Sequence, residues 1–322
     1  MERFDRLPPS ILGGDPFNQF RFLYRRELLW KLFDEEYCYS VMQAYYQAGG
    51  RGYDLSFEVN TRLFRRLLDE TRDHLLGIAN PTWEQGVFLN GRYLQYSRDR
   101  ILRTLVEQLW PADIARQVKE HLSREAILVF GYDPLAALLN AQEIRSIVLD
   151  EAVFLKRLAG FEDCQIVLLG GADADYLVSL GREDVVAEMV RLARSQGFRP
   201  YLLSQYPSLV LPRMEAVNLD VEGYAVPLNK EWSWFDRESC LKAVQATSKK
   251  IIAFMPLASG DLKKDVRSAL DWLYQVAGVE SILFGTATAA HANETARIAQ
   301  EARDAADAQR YHTDKDMPHD RR

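Results

Sequence analysis

Apolar and polar positions follow one repeating order along this chain: a short unbroken apolar run, a glycine turn, then an amphipathic helix. The stretch 250–296 shows the order twice. Residues 251–254 (IIAF) form an apolar run of the kind expected for a strand covered on both faces. Gly260 and Asp261 break the run and open a helix with Val266, Leu270 and Leu273 on one stripe. Gly278 ends that helix as a C-terminal glycine does. Residues 281–284 make the next buried strand, and Gly285-Thr286-Ala287-Thr288 leads into a last helix. Tandem units of this kind imply parallel strands joined by crossover helices.

The same alternation runs through the rest of the sequence. Residues 10–15 read as a strand ending in Gly13, Gly14 and Asp15, and a helix follows from about 25 to 47. Tyr53-Asp54-Leu55-Ser56 is a second strand. The stretch 59–72 is amphipathic, with Leu63, Leu67 and Leu68 opposite Arg65, Arg66, Asp69 and Glu70. Residues 75–80 are the third strand, ending at Asn80 before Pro81. An Asn90-Gly91 turn between the apolar runs 87–89 and 92–94 is a strong hairpin signal. Helices are expected over 98–109, 112–122, 141–159 and 182–196. Further strands are expected over 126–130, 165–169, 199–203 and 222–227. Apart from the hairpin this gives nine strand-like runs. Their alternation with helices, without a linker, predicts a single (β/α)₈ TIM barrel with a hairpin inserted after the third strand. A doubly wound open sheet is the alternative. The barrel domain is expected over 1–304, and the polar residues 305–322 as a disordered tail.

Composition narrows the partners. The chain has 322 residues and a net charge of −6, which argues against a general nucleic-acid surface. It lacks an apolar run long enough for a membrane span and an apolar N-terminal signal core, so a cytoplasmic protein is expected. Cys38, Cys164 and Cys240 read as buried reduced thiols. Five histidines without metal-ligand spacing make a histidine metal site unexpected.

Chemistry in such a barrel gathers where the C-terminal ends of the strands meet. Asp15 and Asp54 end the first two strands; paired carboxylates can divide into an acid and a base. Either can equally cap a turn. Lys230 follows the run 222–227 and Asn229, where it can form a Schiff base or polarise a carbonyl or carboxylate group, or be a solvated loop lysine beside Glu231. Tyr132 and Asn80 stand at other strand ends as polarising groups. Ser259, Gly260, Gly285, Thr286 and Thr288 form two turns suited to a phosphate or other anion at helix starts, or to simple capping. Asp173 and Asp175 form a small acidic loop after Gly170-Gly171 that could bind a divalent cation, with N-capping as its ordinary use. The hairpin, with Phe88, Tyr93 and Tyr96, suits a lid or an interface.

Three stretches carry a resemblance to a known family. Residues 41–54 (VMQAYYQAGGRGYD) are similar to the first helix and second strand of aldo-keto reductases. Residues 251–260 (IIAFMPLASG) look like that family's strand and Pro-Leu turn, and 266–296 look like its closing, cofactor-phosphate-holding unit. The resemblance implies a barrel, and a catalytic Asp, Tyr, Lys and His. Asp54 matches the Asp. Val59 stands where the tyrosine belongs and Asn80 where the lysine belongs. Neither candidate fourth strand, ending at Gly131-Tyr132 or at Gly170-Gly171, supplies a histidine. Ala287 replaces the basic residue expected near the cofactor, with His291, Asn293 and Thr295 further along.

These departures favour an enzyme acting on a small, anionic carbonyl compound by cofactor-independent acid–base chemistry, of lyase, isomerase or cyclase type. Asp54 and Asp15 would act with Asn80, Tyr132 and Lys230. A divergent NADPH- or NADH-dependent reductase is the second expectation, and a non-catalytic binding or regulatory relative the third. A small-molecule substrate is expected in the first two cases, without a membrane or nucleic-acid partner.

Overall fold

Eight short parallel strands, each almost wholly apolar, close into a ring. The computed structural model describes residues 4–17, 31, 34–81, 84–125, 133, 135–231 and 237–316. In chain order the strands are β1 (Ser10–Leu12), β2 (Gly52–Leu55), β3 (Leu76–Ala79), β4 (Val87–Leu89), β5 (Arg92–Tyr93), β6 (Val148–Leu149), β7 (Cys164–Gly170), β8 (Arg199–Leu203), β9 (Gly223–Pro227), β10 (Lys250–Phe254) and β11 (Ser281–Phe284). The ring runs β1-β11-β10-β9-β8-β7-β3-β2. Each ring strand lies beside its predecessor in the chain, and β11 returns to β1 through Ser10↔Ile282 and Leu12↔Phe284. This is the (β/α)₈ barrel, not the open sheet. All eight ring strands coincide with apolar runs read in the sequence. The ninth run, 126–130, lies outside the described residues, and the ring closes with the other eight.

The chain divides into two compact units, one of Met1–Ile78, Leu228–Glu231 and Lys250–Arg322, the other of Ala79–Pro227 and Trp232–Lys249. In the first unit the core is aromatic. Tyr45 meets Tyr53 edge-on at 5.3 Å and Phe284 at 5.9 Å between ring centres. The Tyr45 hydroxyl donates to Ser10 O at 2.6 Å, and burial raises its pKa, keeping it a donor. The helix Glu35–Gln47 starts at Asp34, whose carboxylate accepts the N–H groups of Glu36 and Tyr37. Residues 18–30 and 32–33, where an earlier start was expected, lie outside the described residues.

Two expectations change in this unit. The helix expected to open at Gly260-Asp261 instead begins at Val266 (Val266–Asp271). Residues 255–260 make a tight turn with positive φ at Met255, Ala258, Ser259 and Gly260 (54°, 49°, 56° and 104°). Four nearly consecutive left-handed residues cannot belong to a right-handed helix. The tail expected from 305 is also different, because the helix Ala289–Asp316 continues through it. Ala292, Ala299, Ala302 and Ala306 are buried along one stripe, Asp307 binds Arg6 at 2.6 and 2.9 Å, and Arg310 donates to Tyr274 O at 2.9 Å. Small residues at helical spacing let this polar helix pack, which its overall polarity conceals.

In the second unit the hairpin forms as its turn chemistry requires. Phe88 faces Tyr93 and Leu89 faces Arg92, with Asn90 and Gly91 both at positive φ (51° and 76°). The strand β6 adds to it through Val87↔Leu149, giving a small sheet β5-β4-β6. The single helix expected over 141–159 is therefore broken into Ala141–Arg145, β6 and Glu151–Leu158. Asp150 stops the continuous reading by capping the second helix through Val153 N–H at 3.0 Å. All three cysteines are buried and none forms a disulfide, and burial pushes the Cys38 thiol up to about 11. Among the described residues no helix is long and apolar enough to cross a membrane.

Candidate active site

In the first unit the C-terminal ends of β1 and β2 build a closed polar knot around Asp54. Asp54 is buried, and its Oδ2 accepts the Gly14 N–H at 2.9 Å. The Ser56 hydroxyl donates to both carboxylate oxygens at 3.2 and 3.1 Å. Asn60 Nδ2 donates to Asp54 O, while Asn60 Oδ1 accepts the Phe57 N–H, both at 2.9 Å. Asn60 was missed in the sequence. Its signal was a polar residue three beyond Phe57 at a helix start, the spacing of a capping box. Gly14 has to be glycine, since a Cβ there would sit 2.1 Å from Asn60 Nδ2 and 2.8 Å from Asp54 O. Asp15 follows directly, half-buried at the head of the turn Asp15–Phe17.

Lys230 and the β10 and β11 loops belong to the same unit. The Lys230 ammonium pairs with Asp265 and donates to Ser268 Oγ at 2.7 Å. The adjacent Asn229 is fully buried, donating to Met255 O at 3.2 Å and accepting Glu231 N–H at 3.1 Å. Lys230 thus closes a loop, and reaching a substrate would require leaving its carboxylate. Ser259 and Gly260 lie in the left-handed turn after β10, away from any helix start, so the anion role expected of them at a helix N-terminus is not built there. Gly285, Thr286 and Thr288 do precede the helix Ala289–Asp316. Thr286 Oγ1 accepts Thr288 N–H, and Thr288 Oγ1 accepts His291 N–H, each at 3.3 Å. The threonines act as caps, and the positive end of a 28-residue helix stands behind them. Tyr37 donates to Ala287 O at 2.8 Å and fixes the turn. A helix start of this kind suits an anion.

The second unit carries its own polar group at strand ends. Asn80 is buried directly after β3. Gln85, unnoticed in the sequence, donates to Gly170 O at 3.0 Å and accepts Gly170 N–H at 2.9 Å. Gly170 lies at φ 94°, and a Cβ there would strike Ala174 Cβ at 2.2 Å. The turn delivers Asp173 and Asp175 on the helix Ala172–Ser179. Asp175 accepts the Ser204 hydroxyl at 2.6 Å and the Gln205 N–H at 2.7 Å, just past the end of β8. Both aspartates are buried, which raises each from 3.8 to about 7; for Asp175 the Ser204 and backbone hydrogen bonds oppose the rise. N-capping, the ordinary use expected for this pair, is not what they do. Tyr132 lies outside the described residues. The hairpin separately frames a groove of about 440 Å³ between Phe88, Gly91, Arg92, Tyr93 and Tyr96, with Phe88 stacked on Tyr93 at 4.5 Å.

Solved structures agree at the level of fold. A protein assigned as an aldo-keto reductase from Pseudomonas aeruginosa is 16% identical over 91% of this chain and 90% of its own, with a TM-score of 0.50. The thermostable aldo-keto reductase Tm1743, solved with the inhibitor epalrestat, is 14% identical over 96% of this chain and 99% of its own, also at 0.50. No family model and no curated protein sequence matches the chain. The fourth ring strand is β7, which ends at Gly170, and Gly171 follows it.

Proposed function

We propose that this chain is an oxidoreductase of aldo-keto reductase type that reduces a small carbonyl compound with a nicotinamide cofactor. The observation that carries the reading is the first unit's layout. It has a buried, fully engaged Asp54 ending β2, and the β11 turn with its helix start available for a cofactor phosphate. The two solved folds of the same kind are named as aldo-keto reductases, which supports it. A bound cofactor would supply hydride. The chain's own contribution is to hold the diphosphate at Gly285, Thr286 and Thr288 and to fix the β1 and β2 ends through Asp54, Gly14 and Ser56. Excluding water from a carbonyl site at the strand ends would then strengthen each polar contact there. The preference for a cofactor-independent lyase or isomerase has no support among these relatives and takes second place.

The resemblance read in the sequence still favours that second reading. It implies that Val59, Asn80 and Gly170-Gly171 stand where the family's tyrosine, lysine and histidine would be expected. Titration of the purified protein with NADPH and NADH, followed by cofactor fluorescence and thermal shift, separates the two. Micromolar binding with a raised melting temperature is the expected result. No shift at millimolar cofactor removes the reductase reading and leaves acid–base chemistry by Asp54 and Asp15.

A further inference from the structure

Residues 141–159 contain neither glycine nor proline, and their spacing suits one helix from end to end. They nevertheless fold as two helices with β6 between them. The segment supplies caps of its own, Asn140 for the first helix and Asp150 for the second. Neither cap forbids continuity, because Asp150 is exposed and an exposed aspartate inside a helix costs little. The break needs a cause from elsewhere in the chain.

That cause is a guanidinium group. Arg182 immediately precedes the helix Glu183–Ser195, which packs against β6 and against the helix Glu151–Leu158. Asp184 holds the Arg182 Nε and Nη2 at 2.9 and 2.7 Å, which leaves Nη1 directed at the end of the helix Ala141–Arg145. Nη1 donates to Ile144 O at 2.9 Å, to Ile147 O at 2.7 Å and, over a longer 3.4 Å, to Arg145 O. A continuous helix would need the same three carbonyls. It would bond them to the N–H groups of Val148, Glu151 and Leu149, each four residues further on. Hydrogen bonds from an ionised donor are about twice as strong as those between neutral groups, and the arginine fork is rigid. Val148 and Leu149 pair instead with Phe88 and Val87, and Asp150 N–H reaches Gly86 O at 2.8 Å. The hairpin base comes so close that a Cβ on Gly86 would lie 2.9 Å from both Asp150 O and Phe154 N.

We propose that Arg182 selects the secondary structure of residues 146–150. Its guanidinium occupies three acceptors of the helix that would otherwise run through them, and β6 forms on the hairpin sheet as a result. Without that group, residues 141–158 run as one helix and β4 keeps β5 as its only partner. The selection operates inside the second unit and does not depend on the oxidoreductase reading.

NMR Cα and Cβ shifts of residues 146–150 in the full chain test this, together with the cross-strand contact between Phe88 and Val148. Arg182→Leu is expected to move Val148 and Leu149 from extended to helical shifts and to abolish the contact. Glu151→Pro supplies the control. Position 151 is the first of its helix and follows Asp150, which is already extended (φ −88 to the cap Asp34 has its counterpart here at φ −86°, ψ 105°). Proline suits that place, yet it cannot donate to Ile147 O and it keeps Asp150 out of the helical region. The double variant Arg182→Leu, Glu151→Pro is therefore expected to regain the extended shifts and the contact, a rescue that an arginine serving only as a brace would not allow. Extended shifts retained in Arg182→Leu, or a segment that stays unpaired in the double variant, overturns the proposal. If Arg182→Leu does not fold, the double variant decides alone: folding with β6 paired upholds the selection, and failure to fold overturns it.

Discussion

Asp173 and Asp175 lie two residues apart on one helix, both buried, and only Asp175 is met by donors from the end of β8. Burial raises each from 3.8 to about 7. Between those values the native state holds protons that the unfolded chain has released. Their effect on stability is therefore absent below pH 4, grows as pH rises, and is complete above about 7. The destabilisation has an upper bound of roughly 4 kcal/mol per group. Asp173→Asn removes one of the two, so its melting temperature is expected to gain on wild type by several degrees between pH 5 and pH 8. A gap that does not change with pH would contradict this. Gly14 is a second residue-scale test. Gly14→Ala drives a methyl against Asn60 and the Asp54 carbonyl, and is expected to cost about 1–3 kcal/mol in urea unfolding. The sequence marked Asp54 by its place at a strand end. It did not reveal Gly14 as a group that holds it, because a hydrogen bond across two strand ends leaves no periodic trace.

Elements were most legible where apolar runs were continuous. The strands β7 and β8 could be read directly, since buried parallel strands need no polar face. The hairpin was equally legible because Asn90-Gly91 selects its turn. Where local and tertiary preferences disagree, the sequence misled. Residues 141–159 carry helix-compatible spacing throughout, yet Val148 and Leu149 pair with Phe88 and Val87, and a ladder won over helical continuity. The helix Ala289–Asp316 is the reverse case, with a polar composition hiding a stripe of buried alanines. Its start tests the capping assignment. Thr288→Ala removes the acceptor for His291 N–H and is expected to cost about 1 kcal/mol, read as a lower melting temperature. No loss would mean that the cap is made by other groups.

At the scale of the molecule, the ring is completed by the pairing of β1 with β11, so the chain's two ends are tied into one unit. Deleting residues 305–322 removes Asp307 from Arg6, Arg310 from Tyr274 O and the buried Ala306. The expected loss is about 1–3 kcal/mol by denaturant unfolding, whereas an unpacked tail would leave stability unchanged. Under the proposed reductase reading, Ala287 in the β11 turn bears on cofactor choice. Without a cation there for a 2′-phosphate, NADH and NADPH are expected to bind with affinities within a few-fold of each other. A strong preference for NADPH in parallel titrations would place a cation elsewhere. The sequence by itself determined the barrel, its hairpin and the strand ends that carry Asp54, Asp173 and Ser204, because burial on both faces of a parallel strand writes an unbroken apolar run. Only the tertiary structure decided which polar groups are satisfied. It tied Lys230 to Asp265, took Ser259 and Gly260 away from a helix start, and left Asp173 Oδ1 buried without a hydrogen-bond partner, since those outcomes depend on distances between segments far apart in the chain.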